Sequence, residues 1–555
     1  MTNEKVTMDE IVNLAKRRGF VYPGSDIYGG SANTWDYGPY GVLLKNNVKA
    51  AWWQDMVMKR MDVVGLDAAI LMNPKVWEAS GHLGNFTDPL VECKNCKSRF
   101  RQDKLAEGPI FDTFLSNIKE SWWLAFLRLL DSRMILNSVD LDRYLKGVLL
   151  DVLVPAGVSE RDKDIIIPLV INAVREAVDE MVFDIGVEEN MVSYVGTNIQ
   201  ELLIDKLNKA LVVIARTLFL NSEIPCPNCG NYEWEEPRNF NLMFKTFAGP
   251  VEDTASTIYL RPETAQGMFV NFKNILDTTR VKLPFGIAQI GKSFRNEITP
   301  GNFTFRTREF EQFEMEYFCK SADEAKLKYD EWLKARRDWY LGLGIRKENL
   351  NFRVHEQDEL AHYAVAACDV EYNFPFGWSE LEGIANRGTY DLEAHEKASG
   401  QELRYFDDET KEKILPHVIE PAGGVDRATL AFLVDAYAQE EVSEGDVRTV
   451  LKFHPKLAPI KAAIFPLVKK EPLLGLAKEI SDKLKQKFFV EYDESGTVGK
   501  RYRRQDEIGT PFCITVDFDG AESTPQTVTI RHRDSMEQER IEVEKLEKWL
   551  EDKIG

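Results

Sequence analysis

From Gly286 to Phe318 the sequence reads as two long strands joined by a tight loop, and no other stretch constrains the fold as strongly. The first strand is expected from Gly286 to Glu297. The loop runs from Ile298 to Thr304, with Pro300 and Gly301 as turn formers. The second strand is expected from Phe305 to Phe318. Side chains alternate across a strand, so Arg306, Arg308, Phe310, Gln312 and Glu314 share one face. Arg295 and Glu297 share a face on the first strand. The shared face is graded, from guanidinium through an aromatic ring to carboxylate. Arginine forks match phosphate oxygens, and an aromatic face stacks on a base. A carboxylate beyond them suits an ammonium. A solvated sheet face with cross-strand ion pairs would share this spacing. From Asn239 onward, strand-like runs alternate with short polar turns. The expected fold class is therefore α+β, a largely antiparallel sheet with helices.

One motif in this region is refused. Gly286-Ile-Ala-Gln-Ile-Gly-Lys-Ser293 matches the phosphate-loop pattern letter for letter. That pattern works only as a loop between a strand and a helix. Here the middle residues are strand-like, and a turn rather than a helix follows.

The chain has 555 residues, which suggests three or four domains. Its composition is 44% hydrophobic and 29% charged, which excludes disordered and fibrous classes. No apolar run approaches the roughly 18 residues of a membrane span, and the first ten residues lack a signal-peptide core. A cytoplasmic location is expected. The net charge of -20 argues against non-specific coating of nucleic acid but leaves room for a local basic surface.

Four of the seven cysteines form two pairs, Cys93-x2-Cys96 and Cys226-x2-Cys229. This spacing suits a four-thiolate structural zinc site closing the neck of an insertion; four reduced cysteines without metal are the alternative. The intervening stretch 109–222 has few glycines and apolar residues at helical spacing, so a helical insertion is expected. It carries 17 acidic and 11 basic residues, which disfavours phosphate binding. The expected division is 1–108 and 223–451 as one domain, 109–222 as the insertion, and 452–555 as a separate small α/β domain. In that last domain Lys500, Arg501, Arg503 and Arg504 form a dense basic run beside Tyr502. Such a run suits salt-sensitive docking to RNA phosphates, and Tyr502 could stack on an unpaired base; a solvated loop, partly neutralised by Asp506 and Glu507, is the alternative.

Phe294-Arg-Asn-Glu297, a loop, then Arg306-x3-Phe310 resembles motif 2 of the class II aminoacyl-tRNA synthetases. Glu420-Pro-Ala-Gly-Gly-Val-Asp-Arg427 resembles motif 3. Val48 to Met61, followed by Asp67 to Met72 and Pro74, resembles motif 1, a helix and strand at the dimer interface. Within the class the chain resembles the homodimeric glycyl-tRNA synthetase family. Four further strings carry that resemblance: Gly29 to Pro39, Ser80 to Gly84, Arg261 to Gly267 and Lys500 to Gly509. It spans nearly the whole chain outside 109–222.

The resemblance implies a class II antiparallel sheet flanked by helices, a C-terminal anticodon-binding domain and a homodimer. It implies glycine activation by ATP with Mg2+, then transfer to the 3′ end of tRNA(Gly). Arg295 matches the arginine that holds the α-phosphate and the glycine carboxylate. Arg306 and Arg427 match arginines on the γ-phosphate, Phe310 the adenine stack, and Glu297 the adenine amino edge. Asn296, Phe305, Arg308, Glu380, Leu381, Gly424, Val425 and Asp426 complete the implied ATP site. Glu263, Glu314 and Glu420 match the carboxylates of the glycine site. Arg101, Phe310, Gln312, Ala422 and Gly424 match its remaining residues. Ala422 departs from the usual serine.

Two rival readings share parts of this pattern. Class II folds also serve as non-catalytic accessory subunits, but these usually lose the ATP arginines, and Arg295, Arg306 and Arg427 are all present. A phosphate-loop ATPase fails on the context of its motif.

Overall fold

The structure is a computed structural model describing residues 6–105, 225–250, 256–356, 359–361 and 364–554. The insertion expected at 109–222 lies outside the described residues. The chain divides into two compact units, Met1–Phe86 with Asn241–Gly555, and Thr87–Phe240.

The first unit is built on a seven-stranded sheet. Its strands are β1 (Val63–Gly65), β2 (Phe285–Phe294), β3 (Glu309–Cys319), β4 (Leu350–Val354), β5 (Ala366–Phe374), β6 (Gly377–Gly388) and β7 (His417–Gly424). The spatial order is β4-β5-β6-β7-β3-β2-β1. Only β1 and β2 run parallel; the other neighbours are antiparallel. The expected antiparallel sheet is present. The refused phosphate-loop string lies inside β2, as its apolar alternation implied. Gly291 is glycine for packing: an added Cβ would sit 2.3 Å from Arg261 Nη2. That buried arginine also ties β2 to a neighbouring loop, donating from Nε to the Lys292 carbonyl (2.7 Å) and from Nη1 to that of Ala68 (2.7 Å).

Helices close one face of this sheet. They include α1 (Pro39–Trp53), α3 (Ala322–Gly342) and α5 (Val425–Ala436), while the short α2 (Ala265–Val270) and α4 (Tyr390–Ser399) pack elsewhere. Each begins where its sequence allows. Gly38 precedes Pro39 at the first turn of α1, where a missing N–H costs nothing. Ser321 caps α3 by accepting from the Glu324 N–H (3.2 Å). The odd-numbered residues of β3 face these helices. Phe313 is fully buried, stacks on Trp52 at 5.3 Å and meets the edge of Trp339 at 6.0 Å. Gly423 lets that ring approach, since its Cβ would lie 2.3 Å from Phe313.

Several expected boundaries shift. The loop of the hairpin is longer than expected, because a short helical turn at Phe303–Phe305 and a Gly301–Arg306 bridge close it on itself. Arg295, Glu297, Arg306 and Arg308 therefore lie in the connection rather than on strands. The strand expected at 67–72 is instead β1 at Val63–Gly65; Leu71 makes only an isolated bridge to Leu260.

The C-terminal part has its own core, from Ala462 to Leu550. Its strands are β8 (Ala462–Pro466), β9 (Val490–Tyr492), β10 (Phe512–Val516), β11 (Thr527–His532) and β12 (Gln538–Glu542), in the order β9-β8-β10-β11-β12. Helices α6 (Leu473–Leu484), α7 (Val498–Ile508) and α8 (Leu546–Ile554) complete the expected α/β arrangement.

In the second unit, Thr87–Glu92 is the middle strand between Arg99–Arg101 and Arg238–Asn241. No described helix is long and apolar enough to cross a membrane.

Candidate active site

The even-numbered residues of β3 face away from α1 and α3. Phe310, Gln312 and Glu314 follow one another along that face, as strand alternation requires. Phe310 and Gln312 line a cleft with Arg295, Arg306, Glu380 and Arg427. Gln312 pairs in register with Gly424, and Glu314 with Ala422, so β7 forms the adjoining wall.

Three cations converge at the mouth of this cleft. The Arg295 guanidinium lies 5.3 Å from the Phe86 ring and 5.5 Å from Phe310, and its Nε donates to the Pro262 carbonyl (3.1 Å). Arg427 sits in the first turn of α5, 4.5 Å over the Phe305 ring. Its Nη1 donates to the Glu380 carboxylate at 3.0 Å. Glu380 is 48% exposed at its side chain. Desolvation in the cleft would raise its pKa; Arg427, with Arg295 and Arg306, outweighs that and holds it below the usual value. Glu297 also lines the cleft, and its buried Oε2 has no hydrogen-bond partner.

Carboxylates gather deeper along the same face. Glu314 is 2% exposed and accepts from the Thr264 N–H (3.0 Å) and hydroxyl. Burial, with Glu420 and Glu263 nearby, pushes its pKa up to about 8. Arg387 donates from Nη1 to both oxygens of Glu420 (3.0 and 2.9 Å) and grips Asp391 through Nε and Nη2 (2.7 and 2.9 Å). Burial still raises Glu420, although Arg387 opposes it. Glu263 behaves oppositely: His82 at 3.4 Å, Arg387 and a 3.0 Å hydrogen bond donated by Gln266 Nε2 outweigh its burial and hold it well below the usual range.

Not every expected residue reaches the cleft with a free side chain. Asp426 lines it, but its carboxylate accepts from the Tyr37 hydroxyl, Lys45 Nζ and the Glu311 N–H, each at 2.7 Å. Val425 is fully buried in the core. Asn296 and Arg308 do not line the cleft; their backbones hold the loop, with Asn296 N–H on the Leu242 carbonyl (2.8 Å) and Arg308 accepting from Arg295 (2.9 Å). Arg101 belongs to the second unit, where it pairs with Asp88 at 2.7 Å. Sequence reasoning missed Arg387, Asp391 and His82. It also missed Glu316, which the period-two rule places on the Glu314 face.

Relatives cover the chain from end to end. It is 48% identical over 554 residues to a glycine–tRNA ligase of Alkaliphilus oremlandii, with 100% of both chains covered. It is 50% identical over 560 residues to one of Clostridium tetani, again with 100% of both covered. The chain belongs to the glycine–tRNA ligases. A further family member, from Geobacillus kaustophilus, is 48% identical over 550 residues, 99% of each chain. Two family models agree: a tRNA synthetase class II core domain (G, H, P, S and T) matches residues 207–440, and an anticodon binding domain matches 461–553. The first match begins inside the stretch read as an insertion.

Two other groups of residues singled out in the sequence lie outside this cleft's lining. In the second unit, Cys93 Sγ lies 3.7 Å from Cys229 Sγ, and Cys96 Sγ 3.6 Å from Cys226 Sγ. All four sulfurs fall within 4.8 Å of one another. The pairs are built alike: Lys97 and Gly230, each just after the second cysteine, both take positive φ (57° and 72°). Their N–H groups turn back to the Cys93 and Cys226 carbonyls (3.0 and 2.8 Å). The basic run of the C-terminal domain lies on α7, which Thr497 caps and Gly509 ends. Helical periodicity splits the run. Arg501 is 2% exposed and donates to the carbonyls of Pro466, Glu494 and Gly496. Tyr502 bonds Thr515 (2.7 Å), Arg503 pairs with Asp446 (2.6 Å), and Arg504 with Asp493. Lys500 stays exposed.

Proposed function

We propose that the cleft along β3 binds ATP at its mouth and the glycine ammonium at its carboxylate floor. The protein then forms glycyl-adenylate and passes glycine to tRNA(Gly). The observation that carries this reading is one strand face presenting Phe310, Gln312 and Glu314 in sequence, between Arg295 and Arg427 outside and Glu420 within. The substrate carboxylate is already a nucleophile, so in-line attack on the α-phosphorus needs no general base. What the chain supplies is position and charge. Arg295, held by the Pro262 carbonyl, faces both the incoming carboxylate and the α-phosphate. Phe310 lies beneath the adenine, and the orphaned Glu297 oxygen accepts from its amino group. Arg427 and Arg306 take the outer phosphates. ATP arrives with Mg2+, held chiefly by phosphate oxygens; Glu380 is the solvent-open cleft carboxylate suited to share it. Glycine-dependent ATP–pyrophosphate exchange against a panel of amino acids tests the reading. Exchange supported equally by alanine or serine would overturn it.

Ala422 departs from the family serine, on the pocket wall opposite Glu314. Ala422→Ser adds one hydroxyl, and a neutral hydrogen bond contributes about 0.5–1.5 kcal/mol net. The Michaelis constant for glycine is expected to fall by no more than ~10-fold, with little change in turnover. Alanine should remain rejected, because walls exclude its β-carbon. Steady-state kinetics of both proteins with both amino acids check this.

The four cysteines fit a structural zinc ion. A tetrahedral ion with metal–sulfur bonds of about 2.3 Å sets its sulfurs about 3.8 Å apart, close to the 3.7 and 3.6 Å found here. Hydrogen bonds from Ser98 pull the Cys96 thiol down to about 6, toward the thiolate a metal needs, while burial pushes Cys226 up to about 12 until a cation arrives. Elemental analysis is expected to find about one zinc per chain. Cys93→Ser with Cys226→Ser should lose it and open 87–105 and 225–240 to protease.

The reading also implies a second copy of the chain as partner and a place with the translation machinery of the cytoplasm. Met58 and Met61, after α1, and Leu71 are exposed apolar side chains suited to such a partner. For tRNA, Lys500 is the residue of the basic run free to meet phosphate; Arg503 and Arg504 would first exchange their carboxylate partners, and Arg501 serves the fold.

A further inference from the structure

Beyond Glu314, the same face of β3 carries one more carboxyl. Glu316 is 0% exposed, and neither of its oxygens has a hydrogen-bond partner. Oxygens of Glu314, Glu316 and Glu420 lie within 4.8 Å of one another. The β3–β7 register pairs Glu314 with Ala422 and Tyr317 with Ile419, which brackets Glu316 opposite Glu420. Two carboxylates facing each other across strands, out of water, repel strongly.

The surroundings hold too little positive charge for this cluster. Glu314 shares the strand, and Glu420 faces it from β7. From β6 comes Arg387, already divided between Glu420 and Asp391 of α4. His395 of α4 bonds Gln266 (2.8 Å), and burial lowers its pKa, keeping it neutral. Glu263 pairs with His82. Thr264 and Gln266 complete the lining with neutral groups. No described ion pair reaches Glu314 or Glu316; Arg387 acts on both, and buried Arg261 on Glu314, only from farther off, and burial with the neighbouring carboxylates outweighs them. A carboxyl so placed persists only by holding a proton or by meeting a positive ligand.

We infer that Glu316 is a further carboxyl of the amino-group pocket, which holds a proton while the pocket is empty and releases it as the substrate ammonium docks. This rests on the reading of the β3 floor as the site for the glycine amine. The proton passes to solvent as the carboxyl becomes a carboxylate, and the ammonium replaces its charge. Burial and the neighbouring carboxylates raise Glu316 well above the ordinary glutamate value, in keeping with that empty state. Protons therefore compete with the substrate amine. Glycine binding tightens as pH rises and these carboxyls give up their protons, Glu314 at about 8 adding to the dependence.

The test is calorimetry of glycine binding in buffers of different ionisation enthalpy, with steady-state kinetics beside it. The unaltered enzyme is expected to release protons on binding glycine near neutral pH. Glu316→Gln keeps the shape and removes the acid. It should release fewer protons and raise the glycine Michaelis constant by roughly 10–100-fold, the factor carried by one hydrogen bond to a charged group. The ATP Michaelis constant should stay unchanged, and the melting temperature near neutral pH should not fall, since the amide removes a buried acid that the fold penalises. No net release by the unaltered enzyme would overturn the inference whether or not the variant folds. Equal release and equal glycine constants in the two proteins would overturn it as well, since an amide then replaces a carboxyl that never ionises. Glu314→Gln separates the underlying reading. If that variant weakens glycine and Glu316→Gln does not, only the inference fails; if neither does, the floor is not the amine site.

Discussion

Arg295→Lys is expected to lower glycyl-adenylate formation by at least ~100-fold, the scale of losing one donor aimed at developing charge. The substitution keeps the positive charge and loses the planar fork. In the structure that fork is held between the Phe86 and Phe310 rings, with Nε on the Pro262 carbonyl. A lysine ammonium can repeat neither the bond from Nε nor the stacking that aims the two terminal nitrogens. Pyrophosphate exchange measures the loss, and thermal melting should not move, because Arg295 lies in a loop outside the core. Near-normal exchange would sink the assignment of Arg295 to the phosphate.

Arg387→Gln should act on stability more than any other single change in the site. Arg387 is 4% exposed and makes four hydrogen bonds to two buried carboxylates. Breaking a buried ion pair by removing one partner costs roughly 3–5 kcal/mol. Urea denaturation is expected to show that loss, and the loss should be larger near about pH 8 than near about pH 5.5. The sign follows from the folded state. Burial already raises Glu420, and Arg387 is what opposes it. Without the guanidinium Glu420 rises further, so its charged form penalises the fold more as pH increases. Glu314 sets the trend for the unaltered protein: its pKa goes from 4.5 to about 8 on folding. The stability tied to its protonated form is complete below about 4.5 and is lost as pH rises through about 8. A variant loss independent of pH would contradict this account.

The strand alternation was legible because polar and apolar side chains alternate along β3, although both faces are largely buried. Phe310, Gln312 and Glu314 fall on the cleft side for that reason, with Phe313 on the other. The same rule reaches Glu316, where an acid directly before the buried Tyr317–Phe318 pair signals unusual surroundings. Arg387 and Asp391 gave a weaker signal, an i,i+4 pair across the junction of β6 and α4; their link to Glu420 comes from sheet order alone. The run Lys500 to Arg504 divides for a related reason. It reads as one patch, yet α7 turns Arg501 inward and leaves Lys500 outward. The ends of the hairpin were displaced because the Gly301–Arg306 bridge depends on a loop closure that no strand pattern encodes.

Asp426 ties together segments far apart in the sequence. Its carboxylate receives Tyr37, Lys45 of α1 and the backbone of Glu311 on β3, and the next residue is Arg427. Lys45 also pairs with Glu311 at 2.8 Å. The arginine at the cleft mouth is thereby anchored to α1, which leads into the exposed Met58 and Met61. Segments that are remote in sequence, and one of them remote from the cleft, thus meet at a single carboxylate beside Arg427.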